Sequence, residues 1–150
     1  MAEPTPLPPE QVVTFPRRLA AMCYDSLLLG AIIIILGGAL AALLARVLGH
    51  DLVPGSLPAR LMLLVYLAIG FAFFGWFWTH GGQTLGMRAW KIRVADDYGR
   101  TLNWQQAFFR YTMSIFSWLV LGVGYWIAIF DPERLAWHDR LSRTRLIRTE

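Results

Sequence analysis

Cysteine is all but missing from these 150 residues. Cys23 stands alone, which excludes an internal disulfide and any zinc site built on paired cysteines. Charge is scarce as well: charged residues make up 16% of the chain and apolar ones 56%, against about 25% and about 45–50% in soluble domains. Three stretches, Leu19 to Ala45, Leu61 to Thr79 and Tyr111 to Phe130, contain a single charged residue between them, Asp25. They are 27, 19 and 20 residues long, and a helix needs about 20 residues to cross roughly 30 Å of hydrocarbon. A short chain with so much of its length in such runs has no room for a conventional soluble enzyme core. Nor does it hold a polar segment long enough to act as a disordered regulator.

Signatures of catalysis and cofactor binding are missing too. Gly81 and Gly86 have the spacing of a phosphate loop, but Met87 and Arg88 stand where that loop needs Lys and Ser or Thr. Gly122-Val123-Gly124 lacks the third glycine of a dinucleotide fingerprint and reads as a helix break. His50, His80 and His138 fall in separate segments without ligand spacing. No nucleophile block is recognisable. The expectation is a protein that is not an enzyme, with no catalytic residues, no metal and no cofactor.

What is present is a pattern of apolar runs and basic flanks. Residues 1–16 hold five prolines and read as a disordered lead-in. Arg17 and Arg18 ahead of an apolar run that meets Ala39-Leu40-Ala41 raise the question of a cleaved signal peptide. Asp25 and the continuation to Ala45 favour an uncleaved helix over about 17–47. Within it Gly37, Ala41 and Ala45, and also Gly38 and Ala42, form stripes of small residues that allow close packing in lipid, inside the chain or across a homodimer. Pro54-Gly55 and Pro58 mark a turn. A second helix follows over about 60–79, its end rich in Phe and Trp, as suits a membrane boundary.

Alternation of Trp90, Ile92 and Val94 with Lys91 and Arg93, then Asp96-Asp97-Tyr98-Gly99, predicts a small β-hairpin over about 88–103. Helical segments over about 104–121 and 125–141 complete the membrane domain at residue 148. The second of these is expected to restart at Asp131, a capping residue, followed by Pro132 and Glu133.

Charge counting favours one of two topologies. Lys and Arg number two in residues 1–18, two in 46–60, five in 80–110 and five in 131–150. A single crossing by residues 111–130 puts seven on each side and leaves the positive-inside rule silent. A break at Gly122 and Gly124 places twelve on one side against two. The expected fold class is therefore an all-α multi-pass membrane protein. It has two full transmembrane helices, a broken or re-entrant third and fourth segment, and a small cytoplasmic hairpin. The basic residues suit orientation and anionic lipid headgroups, not nucleic acid.

Asp25 carries the chemistry. A carboxylate about 10 Å beyond Arg18 along a helix is costly in lipid and must be paired, protonated or hydrated inside the bundle. Arg18, seven residues earlier, lies on nearly the same helix face. A static ion pair and a proton or cation site both fit these residues.

Three blocks carry a resemblance. Arg17-Arg18-Leu19-Ala20-Ala21-Met22-Cys23-Tyr24-Asp25, Gly82-Gln83-Thr84-Leu85-Gly86-Met87-Arg88 and Trp137-His138-Asp139-Arg140-Leu141-Ser142-Arg143-Thr144 resemble, in order, the signature blocks of the RDD family, over about residues 15–148. The arginine and two aspartates of its name match Arg18, Asp25 and Asp139. Gly82, Gln83, Thr84 and Gly86 match its glycine motif, whereas Met87 stands where that block commonly has lysine. The resemblance implies a small protein of the bacterial membrane with a role in transport, sodium/proton exchange among the cargoes associated with some members; the charge count adds the inner membrane, with termini and hairpin cytoplasmic. A chain this small implies a homo-oligomer or a partner membrane subunit. If the tail returns beside Arg18, two carboxylates and one arginine form a polar cluster that must take up a proton, a cation or another base such as Arg110 or Arg140. The alternative is a non-transporting scaffold or accessory subunit whose cluster only locks helix packing.

Overall fold

The computed structural model describes residues 13–149; most of the proline-rich lead-in, expected over residues 1–16, lies outside them. The first helix runs without interruption over Phe15–Leu48, as α1 (Phe15–Ile32), a π-helical turn (Ile33–Gly37) and α2 (Gly38–Leu48). Pro16 sits in its first turn, where a missing N–H costs nothing, and Gly49 ends it in the left-handed conformation at φ 74°. Its 34 residues measure about 51 Å at 1.5 Å per residue. At the π-turn, Gly37 lets the ring of Tyr66 come so close that a Cβ would lie 3.0 Å from Cδ1. One member of the small-residue stripe is thus used for packing inside the chain, while Gly38 faces open space.

Ser56 caps α3 (Leu57–Thr79) through a bond from the Ala59 N–H, with Pro58 in the first turn. These two helices are long and apolar enough to cross a membrane. After them come α4 (Leu85–Ala89), β1 (Ile92–Asp96), α5 (Trp104–Leu119), α6 (Val123–Phe130), α7 (Trp137–Leu141) and β2 (Thr144–Arg148).

Helices α5 and α6 meet at 97°. The bend is made by Leu121 and Gly122, with φ of 53° and 72°; such a φ costs glycine little and leucine more. Gly122 therefore breaks the helix as the sequence suggested, but Gly124 does not. It lies inside α6, where a Cβ would sit 2.7 Å from that of Ser117. Its absent side chain lets the two arms of the bend close on each other.

Two further expectations are overturned. The helix expected over about 125–141 is not continuous. Asp131 accepts the Leu135 N–H at 2.8 Å and pairs with Arg140, but Arg134 takes a positive φ of 56°, so the chain runs as a turn until α7 begins at Trp137. There is also no hairpin over 88–103. Residues 85–89 are helical, and Asp96 to Gly99 do form a turn closed by Gly99 N to Asp96 O at 3.0 Å, but the chain then enters α5 after a capping box formed by Asn103 and Gln106. The partner of β1 is β2, antiparallel, from Ile92 opposite Arg148 to Asp96 opposite Thr144. Ile92 and Val94 mark the strand and its buried face, whereas Trp90 ends α4 and is exposed; alternation carries no information about which strand pairs with it.

Val13, Ala21, Trp78, Met87, Ile92, Val94, Leu102, Ala107 and Leu146 form the buried core. It lies where the start of α1, the end of α3 and the start of α5 meet α4 and the sheet. Away from that end the first helix buries only Gly37, against Tyr66, and α2 has no buried residue. Packing is concentrated at one end of the bundle and much of the apolar remainder is exposed.

Candidate functional site

Polar groups collect at the packed end. Arg18 lies one turn into α1 and is 3% exposed; Asp139, in α7, is fully buried. Arg18 Nη1 donates to Asp139 Oδ2 at 2.6 Å and its Nη2 to the Arg134 carbonyl at 3.0 Å. From α5, Arg110 Nη1 donates to Asp139 Oδ1 at 2.5 Å and to Thr144 Oγ1 at 2.6 Å. The Ala136 N–H adds a third bond to the carboxylate, at 2.9 Å. Burial by itself raises the pKa of Asp139, but the two guanidiniums outweigh it and hold the group well below the usual carboxylate range. His138 beside it goes the other way. Burial, aided by Arg110 and Arg18 against the pull of Asp139, lowers its pKa from 6.5 to about 3, so its imidazole is neutral.

Asp25 is equally buried, at 3% exposure, but has different partners. Thr84 Oγ1 donates to its Oδ2 at 2.5 Å and the Gly86 N–H to its Oδ1 at 2.9 Å. The glycine block makes this possible. Thr84 caps α4, accepting the Met87 N–H at 3.1 Å, and Gly86 lies so close to α1 that a Cβ would meet the Ala21 carbonyl and lie 2.8 Å from Asp25 Oδ1. Gln83 ties the block to the sheet through the Ile92 carbonyl at 2.8 Å. Gly82, at φ 75°, accepts the Val94 N–H through its own carbonyl at 2.7 Å. Met87 is buried in the core and supplies no cation.

The expected cluster of one arginine and two carboxylates is therefore divided. Arg18 is bound to Asp139, and among the described residues Asp25 has no ion pair. Arg110, not Arg140, is the second base at Asp139; Arg140 pairs with Asp131. The signal for Arg110 was available, since it is the only charged residue between Arg100 and Asp131. A lone arginine in an apolar helix needs a buried partner as much as a lone aspartate does.

Both halves border one cavity of about 270 Å³, enclosed by α1, α3, α5 and α6 with α4 and α7 at its base. Arg18, Asp25, Arg110 and His138 line it, together with Phe74, Trp78, Tyr111, Trp118 and Tyr125. Among the described residues no three metal-ligating side chains come together. What the arrangement offers chemically is an acid group without a countercharge, facing a chamber that also holds two guanidiniums.

Comparison with curated proteins and with solved structures gave no match. The RDD family model matches residues 12–143, a segment that holds Arg18, Asp25, the glycine block and Asp139. With most of its length matched, and with two helices apolar enough to cross a bilayer, the chain belongs to the RDD family of membrane proteins.

Proposed function

We propose that this protein is a carrier of ions or small solutes in which Asp25 is the exchanging group and Arg18, Asp139 and Arg110 form a fixed lock. One observation carries the reading: Asp25 is buried on the wall of the cavity and bonded only by neutral donors, the Thr84 hydroxyl and the Gly86 N–H. A carboxylate in that position is stabilised by dipoles alone, so it can take up and give back a proton or cation without breaking an ion pair. Asp139, held by two guanidiniums, has no such freedom. The other titratable groups on the cavity wall are Arg18, Arg110, Tyr111, Tyr125 and His138. Sodium/proton exchange, which the family resemblance implies, is one cargo this arrangement admits.

Two long helices and one bent pair are few elements from which to build a path with two gates, so the carrier acts as a homo-oligomer or beside a partner subunit. The bare apolar length of α2 supports such a contact. The location is the bacterial inner membrane, with anionic headgroups against the basic sheet and with both termini in the cytoplasm.

A second reading rests on the completeness of the lock. Both Asp139 oxygens are satisfied and the bonds tie α1, α5 and α7 together, as a scaffold or accessory subunit requires. One preparation separates the two. In proteoliposomes, Asp25→Asn retains folded yield and loses proton-coupled flux if Asp25 exchanges. Loss of yield, or unchanged flux of protons and sodium, overturns the carrier reading.

A further inference from the structure

The bend between α5 and α6 exposes backbone as well as side chains. Leu119, Val120, Leu121 and Val123 are 72%, 51%, 89% and 45% exposed, and Leu121 takes a φ of 53°. Glycine adopts that conformation with less strain, as the adjacent Gly122 does. A leucine held there, with its side chain clear of its own chain, is an outlier that asks for a contact from outside.

The two helices do not satisfy the turn between them. Val120 donates to the Phe116 carbonyl and Val123 to that of Val120, while the Gly122 carbonyl accepts from Tyr125 and Trp126. Among the described residues no backbone bond reaches the Leu121 N–H or the carbonyls of Leu119 and Leu121.

This turn lies within the hydrocarbon. Arg110 Cζ is 5.2 Å from the centroid of the Trp78 ring, one residue from the end of α3, so the lock stands near the boundary. Leu119 is nine residues further along α5, about 14 Å at 1.5 Å per residue, or roughly half of a 30 Å core. Non-helical backbone is tolerated at such depth only inside protein or along a water-filled cavity, never against lipid. In one copy of the chain Leu121 has neither. The cavity is lined by Trp118 and Tyr125, on either side of the turn, and not by the residues from Leu119 to Val123.

The unpaired groups include a donor and acceptors, so the turn is complementary to itself. A two-fold axis along the membrane normal leaves every residue at its own depth and can bring the turn of one copy to that of another. In such an isologous contact each side offers the other the same patch, and each Leu121 N–H meets a carbonyl of the twin. We infer that this turn is the contact through which two copies of the chain associate, the segment from Leu119 to Val123 of one packed against the same segment of the other. The inference rests on the proposed reading for its membrane setting and its oligomer, and does not need Asp25 to exchange anything.

Cysteine crosslinking in cell membranes tests it, with Cys23 replaced by Ser. Near a two-fold axis a residue meets itself, within the Cα separation of about 4.4–6.8 Å that a disulfide requires. Mild oxidation should join Leu121→Cys, or its neighbour Val120→Cys, into a dimer and leave Leu27→Cys and Val47→Cys single, although these are 76% and 78% exposed on the first helix. The unaltered full chain, diluted in lipid, should bleach in two steps. Leu121→Gly deletes the strained side chain and suits the turn. It should keep or raise the melting temperature at monomeric dilution and weaken association at least about tenfold, a difference of about 1.4 kcal/mol. Dimers joined through Leu27→Cys or Val47→Cys instead place the contact on the first helix and overturn the inference. So do single copies at every dilution, equal crosslinking at all four positions, association indifferent to Leu121→Gly, or a product of the turn cysteines that contains a different protein. Dimers joined at the turn with flux indifferent to Asp25→Asn support the contact and remove the carrier reading. Asp25-dependent flux from a chain that stays single does the reverse.

Discussion

Arg18 Nη1 and Asp139 Oδ2 are 2.6 Å apart across 121 residues of sequence, and neither side chain is more than 4% exposed. This one pair brings the tail of the chain back to the start of the first helix. The return requires the bent pair α5–α6 to re-emerge on the side it entered, since a straight crossing carries α7 to the far end of the bundle. The 97° bend and the Arg18–Asp139 bond are thus two views of the same constraint.

Removing one partner from that group leaves buried charge behind. Asp139→Asn deprives two guanidiniums of the one carboxylate that pairs with them among the described residues, and breaking a buried ion pair in this way destabilises by about 3–5 kcal/mol. The expected outcome is a large drop in the thermal midpoint of the purified protein in detergent, together with lost protection of the tail against protease. A variant as stable as the parent places the fold's main fastening elsewhere.

Acid should loosen the same region from two directions. His138 binds a proton near 6.5 when unfolded and near 3 when folded, so between those values the unfolded chain holds more protons and stability falls as pH falls. Asp139, held below its ordinary value of 3.8, adds a further loss as pH drops through the carboxylate range. Thermal midpoints in detergent should therefore decline steadily from about pH 7 to about pH 4.5. In His138→Gln the part of that slope above the carboxylate range should flatten; an unchanged slope removes His138 as its source.

Gly86 needs to be glycine for a reason unrelated to backbone freedom. A Cβ there meets the Ala21 carbonyl and Asp25, so Gly86→Ala must push α4 away from α1 and stretch both bonds to the Asp25 carboxylate. The expected cost is about 1–3 kcal/mol, the range for overpacking a fitted contact. Flux should fall with it if Asp25 exchanges. Gly30→Ala, which meets nothing within 4 Å, is the control and should be neutral in a melting assay. Equal behaviour of the two variants contradicts the close approach.

How much of this was written in the residues depends on the range of the interaction. The two long helices, the break at Gly122 and the special standing of Arg18, Asp25 and Asp139 follow from hydropathy, local φ preferences and the cost of charge in lipid, all of which act on a few neighbouring residues. The pairing of those charges does not. Arg18 and Asp25 share a helix face, yet Arg18 binds a residue 121 positions away and Asp25 a block 59 positions away. The false hairpin has the same origin: Ile92 and Val94 mark a strand, while its partner Thr144–Arg148 comes from the far end of the chain. Gly124 was read as a break because it neighbours Gly122, and only packing against Ser117 distinguishes their roles.

Orientation offers the last test. The sheet and α7 lie at the end of the bundle where α1 starts, and the loop between α2 and α3 lies at the other. Twelve of the fourteen basic residues belong to segments at the first end and two, Arg46 and Arg60, to the second, so the positive-inside rule predicts, in line with the proposed location, that the sheet faces the cytoplasm. Tyr98 and Val53 are exposed, at 63% and 59%, and mark the two ends. With Cys23 replaced by Ser, a membrane-impermeant thiol reagent added to intact cells should label Val53→Cys and leave Tyr98→Cys unreacted until the cells are opened. The reverse pattern inverts the assignment. Labelling of both from outside contradicts their placement at opposite ends of the bundle, and a tail labelled differently from Tyr98 contradicts the shared constraint of bend and ion pair. A third cysteine, in place of the exposed Leu141, therefore completes the set and should behave as Tyr98→Cys does.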